Sequence, residues 1–64
     1  MYKNMYDVRE FLKKYNTFIY TGDKLLDLDL MELEINELKK LAFIDQQTYI
    51  ELILIIRKER RLQT

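Results

Sequence analysis

The chain has 64 residues, enough for one domain, and it contains neither cysteine nor histidine. A structural zinc site, a disulfide framework and the usual nucleophile and base arrangements are therefore excluded, and we expect no metal or cofactor. Eleven basic and eleven acidic side chains cancel to a net charge of zero. The overall positive charge of a typical nucleic-acid-binding domain is thus absent, and only a local concentration of cations would support that function.

The composition favours helices throughout. The chain has no proline and one glycine, and it is rich in leucine, glutamate and lysine, which predicts an all-α fold. Its longest apolar run, Leu52–Ile56, is too short to span a bilayer, and the first residues do not resemble a signal peptide. We therefore expect a cytoplasmic protein of one domain over residues 1–64 that does not associate with membranes.

The first helix is predicted from about residue 5 to residue 15, because apolar side chains recur there at spacings of three and four residues. Asn4 precedes it as a suitable N-cap. Glu10 and Lys14, four residues apart, are expected to form an ion pair on the outer face. The side chains expected to face the core are Met5, Val8, Phe11, Leu12 and Tyr15.

The connection that follows, Tyr15–Asp23, has an unusual composition. It holds three aromatic residues, an isoleucine and the only glycine of the chain, where an exposed loop is usually polar and small. These rings need cover from the core or from a partner. We expect Phe18 and Ile19 to be buried, closing the open end of a small bundle, and Tyr20 to stay partly exposed because its hydroxyl is polar.

The second helix is predicted from about residue 23 to residue 41, with Thr21 or Asp23 as its N-cap. Its core stripe is expected to consist of Leu25, Leu28, Met31, Ile35, Leu38 and Ala42. A second apolar stripe lies on nearly the opposite face and consists of Leu26, Leu30 and Leu33. Two interpretations stay open for it: scattered surface leucines, which are common, or a contact with another copy or a helical partner.

The third helix is predicted from about residue 46 to residue 61, after Asp45 as N-cap. The run Leu52–Ile56 alone would fit a buried strand, but the length of the segment decides for a helix. We expect this helix to be the most buried element, and Ile55 on its wet side is a further candidate contact with a partner. The broad apolar arc consists of Tyr49, Ile50, Leu52, Ile53, Leu54 and Ile56.

Short connections between consecutive helices predict a compact three-helix bundle in the order up, down, up. This order gathers the end of the first helix, the aromatic loop and the end of the third helix at one pole. Cations there would contact phosphates, and exposed rings would stack on unpaired bases, as single-strand binding requires. The candidate nucleic-acid-binding residues are Arg9, Lys13, Lys14, Tyr20, Arg57, Lys58, Arg60 and Arg61.

Other interpretations of the same charges stay open. Basic residues in the last turn of a helix are ordinary dipole partners, and Asp23 and Asp27 would reach the same pole and neutralise the arginines. A helix-turn-helix is disfavoured because the third helix lacks polar side chains along its exposed face. The acidic cluster on the second helix fits a solvated surface better than a catalytic or magnesium site, so we expect no enzyme. Its members are Asp27, Asp29, Glu32 and Glu34.

The run from Tyr15 to Asp23, preceded by Phe11–Lys14 and followed by Phe43-Ile44-Asp45 and Arg57-Lys58-Glu59, resembles the YqgQ family of small bacterial proteins. The resemblance covers nearly the whole chain. It implies a compact three-helix protein for which binding of single-stranded nucleic acid is the leading proposed role, and it implies no catalytic residues.

A second resemblance bears on the alternative function, a helical adaptor or homo-oligomerisation module. The segment 37–59 is similar to the short two-helix oligomerisation domains found at the C-termini of some bacterial proteins. The residues that carry this likeness are Leu38, Leu41, Ile44, Asp45 and Tyr49. The two functions are compatible, because a dimer would double a weak basic site.

Overall fold

The computed structural model describes residues 1–63, and within them the chain forms three α-helices. Helix α1 is Met5–Lys13, α2 is Lys24–Lys40 and α3 is Gln46–Gln63. The predicted all-α three-helix bundle is thus confirmed. Within the described part of the chain, no helix is both long enough and apolar enough to cross a membrane.

Each helix begins at an acceptor side chain that the sequence indicated. The side chain of Asn4 accepts a hydrogen bond from the backbone N–H of Asp7 at 3.0 Å. Asp23 accepts one from Leu26 at 3.2 Å, which decides between the two predicted caps of α2. A second carboxylate, that of Asp45, accepts the N–H of Thr48 at 2.8 Å and caps α3. The starts of the helices are therefore encoded locally.

Helices α1 and α2 both end in a Schellman motif. Thr17 N–H donates to the carbonyl of Leu12 at 3.0 Å, around a left-handed Asn16 with φ of 59°. In the same way, Phe43 N–H donates to Leu38 at 2.9 Å, around Ala42 with φ of 65°. These turns stop α1 before the predicted end at residue 15, because the left-handed residue reverses the chain.

The core is drawn from all three helices and the last connection. Its buried members are Val8, Phe11, Leu12, Leu28, Met31, Ile35, Leu38, Ile44, Leu52, Ile53 and Ile56. Leu25 and Ala42, expected in the core, are exposed, because they lie at the ends of α2 where the neighbouring helix no longer covers them. In α3 the exposed Ile50 and Leu54 leave a narrower buried stripe than predicted, so α3 is not the most buried helix.

Helices α2 and α3 pack antiparallel, as expected. The hydroxyl of Tyr49 near the start of α3 donates to Asn36 at 2.6 Å, and Lys24 at the start of α2 lies 3.9 Å from Glu59 near the end of α3. Helix α1 packs against α3. The segment before α1 is tied down as well, since Tyr2 N–H donates to a carboxylate oxygen of α3 at 3.1 Å.

The connection between α1 and α2 follows an unexpected path. Its first part lies beside the middle of α2, where Thr17 Oγ1 is 3.4 Å from a Glu34 oxygen. Its last part reaches Asp27, whose carboxylate accepts the N–H and the hydroxyl of Thr21 at 2.8 Å and 2.6 Å. The connection therefore runs back along α2 for about 10 Å instead of closing one end of the bundle.

Candidate functional site

The predicted basic pole at the end of α3 is largely neutralised. Arg60 Nη2 lies 2.8 Å from an oxygen of Asp29 and 3.0 Å from one of Glu32, and the hydrogen bond that Arg60 donates to Glu32 is the main cause of its raised pKa. Arg57 Nη2 lies 3.7 Å from Glu32 as well. Lys58 and Arg61 are exposed. The carboxylates expected to form a solvated face thus serve as partners for the arginines of α3.

The ends of α1 and α3 do not meet, which corrects the expectation of a common pole. The ring of Tyr15, just after α1, lies 6.2 Å from that of Phe43 in the connection before α3. Arg60 sits near the opposite end of α3, about 20 Å away along the helix axis. The physical reason is the first connection, which runs back along α2 for about 10 Å instead of turning tightly.

A pocket of about 310 Å³ opens between α1, the first connection and α2. We call it the loop pocket. Its volume is at the lower end of the range of small-molecule sites in proteins. Three of the eight predicted binding residues, Arg9, Lys13 and Tyr20, line it together. The other lining residues are Leu12, Thr17, Phe18, Ile19 and Met31.

Hydrogen bonds with α1 and α2 hold the connection that lines the loop pocket. Arg9 Nη1 donates to the carbonyl of Ile19 at 3.2 Å. Asp27 is only 3 % exposed and accepts both bonds from Thr21, which are the main reason that the pKa of its carboxyl lies below the ordinary value. Asp27 was expected on a solvated surface and is instead buried. Among residues 1–63, no three potential metal ligands come together.

The rings of the connection point outward. Phe18 is 73 % exposed and Tyr20 is 87 % exposed, whereas Ile19 between them packs against the core. Successive side chains of an extended segment alternate between two sides, so burying Ile19 turns both neighbours to solvent. The predicted exposure of Tyr20 agrees with this arrangement, and the predicted burial of Phe18 was wrong.

The lysines at the end of α1 differ in their partners. Lys13 Nζ lies 2.8 Å from Glu10, and that hydrogen bond raises the pKa of the lysine. This pair, three residues apart, stands in place of the predicted pair of Glu10 with Lys14. Lys13 is exposed and Glu10 is partly exposed, and surface pairs of this kind are weak, so Lys13 remains able to contact an anion. Lys14 is exposed and makes no ion pair with any residue in 1–63.

The second leucine stripe is only partly on the surface. Leu33 is 66 % exposed and Leu26 is 44 % exposed. Leu30 is half-buried, and Ile55 packs against the core from the side of α3. Two of the four predicted partner contacts are therefore open to another molecule, and the other two contribute to the fold.

A chain of rings, not anticipated from the sequence, runs along one side of the molecule. Tyr2 contacts Phe11 at 5.5 Å between ring centroids, Phe11 contacts Tyr15 at 5.2 Å, and Tyr15 contacts Phe43. Phe11 is buried, whereas Phe43 is 62 % exposed. In the sequence, the signal for the exposed end of this chain of rings was Phe43, which follows Lys39 and Lys40 within four residues.

Comparison with known proteins supports the family resemblance. A family model described as YqgQ-like matches residues 2–62. The chain is also 32 % identical over 54 residues to the "Uncharacterized protein YqgQ" of Bacillus subtilis (strain 168), a match that covers 84 % of this chain and 76 % of that protein. The chain therefore belongs to the YqgQ-like family.

Proposed function

We propose that this member of the YqgQ-like family binds single-stranded DNA or RNA at the loop pocket, without strict sequence preference. The observation that carries the proposal is the pair of exposed rings, Phe18 and Tyr20, beside Arg9 and Lys13 on one cavity. Rings provide faces on which bases stack, and cations provide contacts to phosphates. We further propose that the protein acts by binding and not by catalysis, and that it works in the cytoplasm.

The shape of the loop pocket favours an unpaired strand over a duplex. A ring reaches the face of a base only when that base is not stacked inside a helix, and both exposed rings stand at the rim of a concave surface. Duplex readers instead need an exposed helix with polar side chains, and the outer face of α3 carries Ile50 and Leu54. The zero net charge also limits long-range attraction to a duplex.

Titration of labelled single-stranded and duplex oligonucleotides at several salt concentrations tests the proposal. For single strands the logarithm of the affinity falls with the logarithm of the salt concentration by about 0.7 for each phosphate neutralised. Contacts from Arg9, Lys13 and Lys14 would therefore give a slope of about −1.4 to −2.1 for two or three phosphates. We expect this slope for the single strand and much weaker binding of the duplex. Equal binding of both forms would contradict the proposal.

Two pairs of variants locate the site. Tyr20→Ser removes an exposed ring and should weaken binding by about 1 to 3 kcal/mol, the usual contribution of one stacked base. Leu62→Ser is its control, since Leu62 is 69 % exposed and lies near the end of α3. Lys13→Gln should weaken binding and flatten the salt slope, whereas Lys58→Gln removes the same charge from a residue that does not line the pocket and should change neither. Wild-type affinity in both pocket variants would refute the assignment.

A helix contact with a second copy of the chain is the second candidate function. The observation that favours it is Leu33, which is 66 % exposed in the middle of α2, near the exposed Leu26. Sedimentation over a range of concentrations should then show a dimer, and Leu33→Glu should return it to a monomer without loss of helicity. A wild-type monomer at every concentration would remove this candidate.

A further inference from the structure

The pair formed by Tyr15 and Phe43 is a second place where a base can stack. Its ring centroids are 6.2 Å apart with the planes inclined at 58°. Phe43 is 62 % exposed and Tyr15 is 37 % exposed, so each ring presents part of its surface to solvent. Leu41 beside them is 60 % exposed. The inner side of the pair is fixed, because Tyr15 also contacts the buried ring of Phe11 at 5.2 Å.

Cations accompany this second pair of rings. Lys14 precedes Tyr15 directly, and Lys40 ends α2 three residues before Phe43. Both lysines are exposed, and neither makes an ion pair with another residue in 1–63. They offset the carbonyl ends of α1 and α2, whose partial negative charge would otherwise repel a phosphate. Arg57 and Arg60, by contrast, are engaged by carboxylates.

The turn before Phe43 places alanine at a left-handed position that favours glycine. Ala42 has a φ of 65°, a left-handed conformation that residues other than glycine adopt at a cost. Glycine would close the same Schellman motif without that cost. Strain of this kind is common at functional sites. Here it holds the turn that presents the exposed Leu41 and Phe43.

The loop pocket and this ring pair are joined by the last turn of α1. Lys13 lines the pocket, and Tyr15 follows two residues later, so their Cα atoms are at most about 7.6 Å apart. The turn between them is closed by Asn16 N–H donating to Lys13 at 2.9 Å and by the bond from Thr17 to Leu12. Residues two apart at the end of a helix face different sides, so a strand that leaves the pocket reaches the ring pair by passing around the end of α1.

We infer that the single strand held at the loop pocket continues over the last turn of α1 to the Tyr15–Phe43 pair, where a second base stacks and Lys14 and Lys40 contact its phosphates. The inference rests on the proposed function and extends it. A ligand that contacts both surfaces must be an unpaired strand of several nucleotides, so binding has a minimum length and a mononucleotide cannot be the full ligand.

A length series of oligothymidylates, from about 2 to about 12 nucleotides, tests the inference with the full chain. Affinity should rise with length until both surfaces are occupied. Phe43→Ser should lower the affinity for the longest strand by about 5- to 150-fold and leave the shortest unaffected. Lys40→Gln should lower it less, with Lys58→Gln as the control of equal charge. Circular dichroism of each variant confirms that the helices are kept.

The outcomes separate the inference from the proposed function. If Tyr20→Ser weakens binding while Phe43→Ser and Lys40→Gln bind every length as the wild type does, the inference is overturned and the loop pocket stands. If Phe43→Ser weakens all lengths equally, the two surfaces are not successive and the inference also fails. If the wild type binds no strand of any length, the proposed function fails and the inference fails with it.

Discussion

Replacing Ala42 by glycine should stabilise the protein. Ala42 occupies the left-handed position of the Schellman motif that ends α2, with φ of 65°. This conformation costs a residue with a Cβ about 1 to 2 kcal/mol, and glycine avoids that cost. Glycine also gains freedom in the unfolded chain, which removes about 0.5 to 1 kcal/mol of the benefit. The net increase in the free energy of unfolding should be about 0.5 to 1 kcal/mol.

Thermal and urea unfolding, followed by far-ultraviolet circular dichroism, measure this change. In a domain of this size 1 kcal/mol shifts Tm by about 4 to 8 °C, so Ala42→Gly should raise Tm by about 2 to 8 °C. Asn16→Gly is a matched control with a smaller expected gain, because asparagine tolerates the left-handed region better. Gly22→Ala should lower Tm, because the φ of 92° at Gly22 strains any residue with a Cβ even where the space around it is open. An unchanged or lower Tm in Ala42→Gly would refute the reasoning.

Three further predictions follow from the contacts of the fold. The pKa of Asp27 is lowered in the folded state, so the ionised carboxylate stabilises the fold at neutral pH. This contribution to the free energy of unfolding is lost as pH falls below about 4. Asp27→Asn should therefore be less stable than the wild type near neutral pH, and its free energy of unfolding should fall less on acidification. Identical pH profiles of the two proteins in urea unfolding would contradict this. Leu28→Ala leaves a cavity at a position that is 0 % exposed, and it should lower the free energy of urea unfolding by about 2 to 5 kcal/mol. A smaller loss would mean that the core closes around the cavity. Arg60→Met should keep wild-type affinity for oligonucleotides in the same titrations, because the guanidinium of Arg60 is already paired with Asp29 and Glu32. Weaker binding by this variant would indicate that the binding site includes the end of α3.

The sequence predicted the parts of the fold that local chemistry determines. The N-caps at Asn4, Asp23 and Asp45 were readable because a short acceptor side chain before an apolar periodic run has few other uses. The buried stripe of α2 followed from helical periodicity in its central turns. It failed only at Leu25 and Ala42, the ends of the stripe, where burial depends on how far the neighbouring helix extends.

The candidate site depended on long-range contacts that no spacing reveals. Whether the first connection closes an end of the bundle or lies along α2 is decided by the burial of Asp27 and its bonds to Thr21. That path brings Phe18 and Tyr20 beside Arg9 and carries Tyr15 to the opposite end from the arginines of α3. Composition identified the aromatic connection as unusual, and the tertiary structure decided which of its rings face solvent.

Amide chemical shifts measured by NMR during titration with an oligothymidylate test the central claim most directly, because they report where the strand lies on a protein of 7.9 kDa. We predict saturable changes that cluster in residues 13–20 and around Arg9, extending to residues 41–43 for a long strand. Changes centred on residues 57–61 at the end of α3, or none at any concentration of strand, would contradict the account.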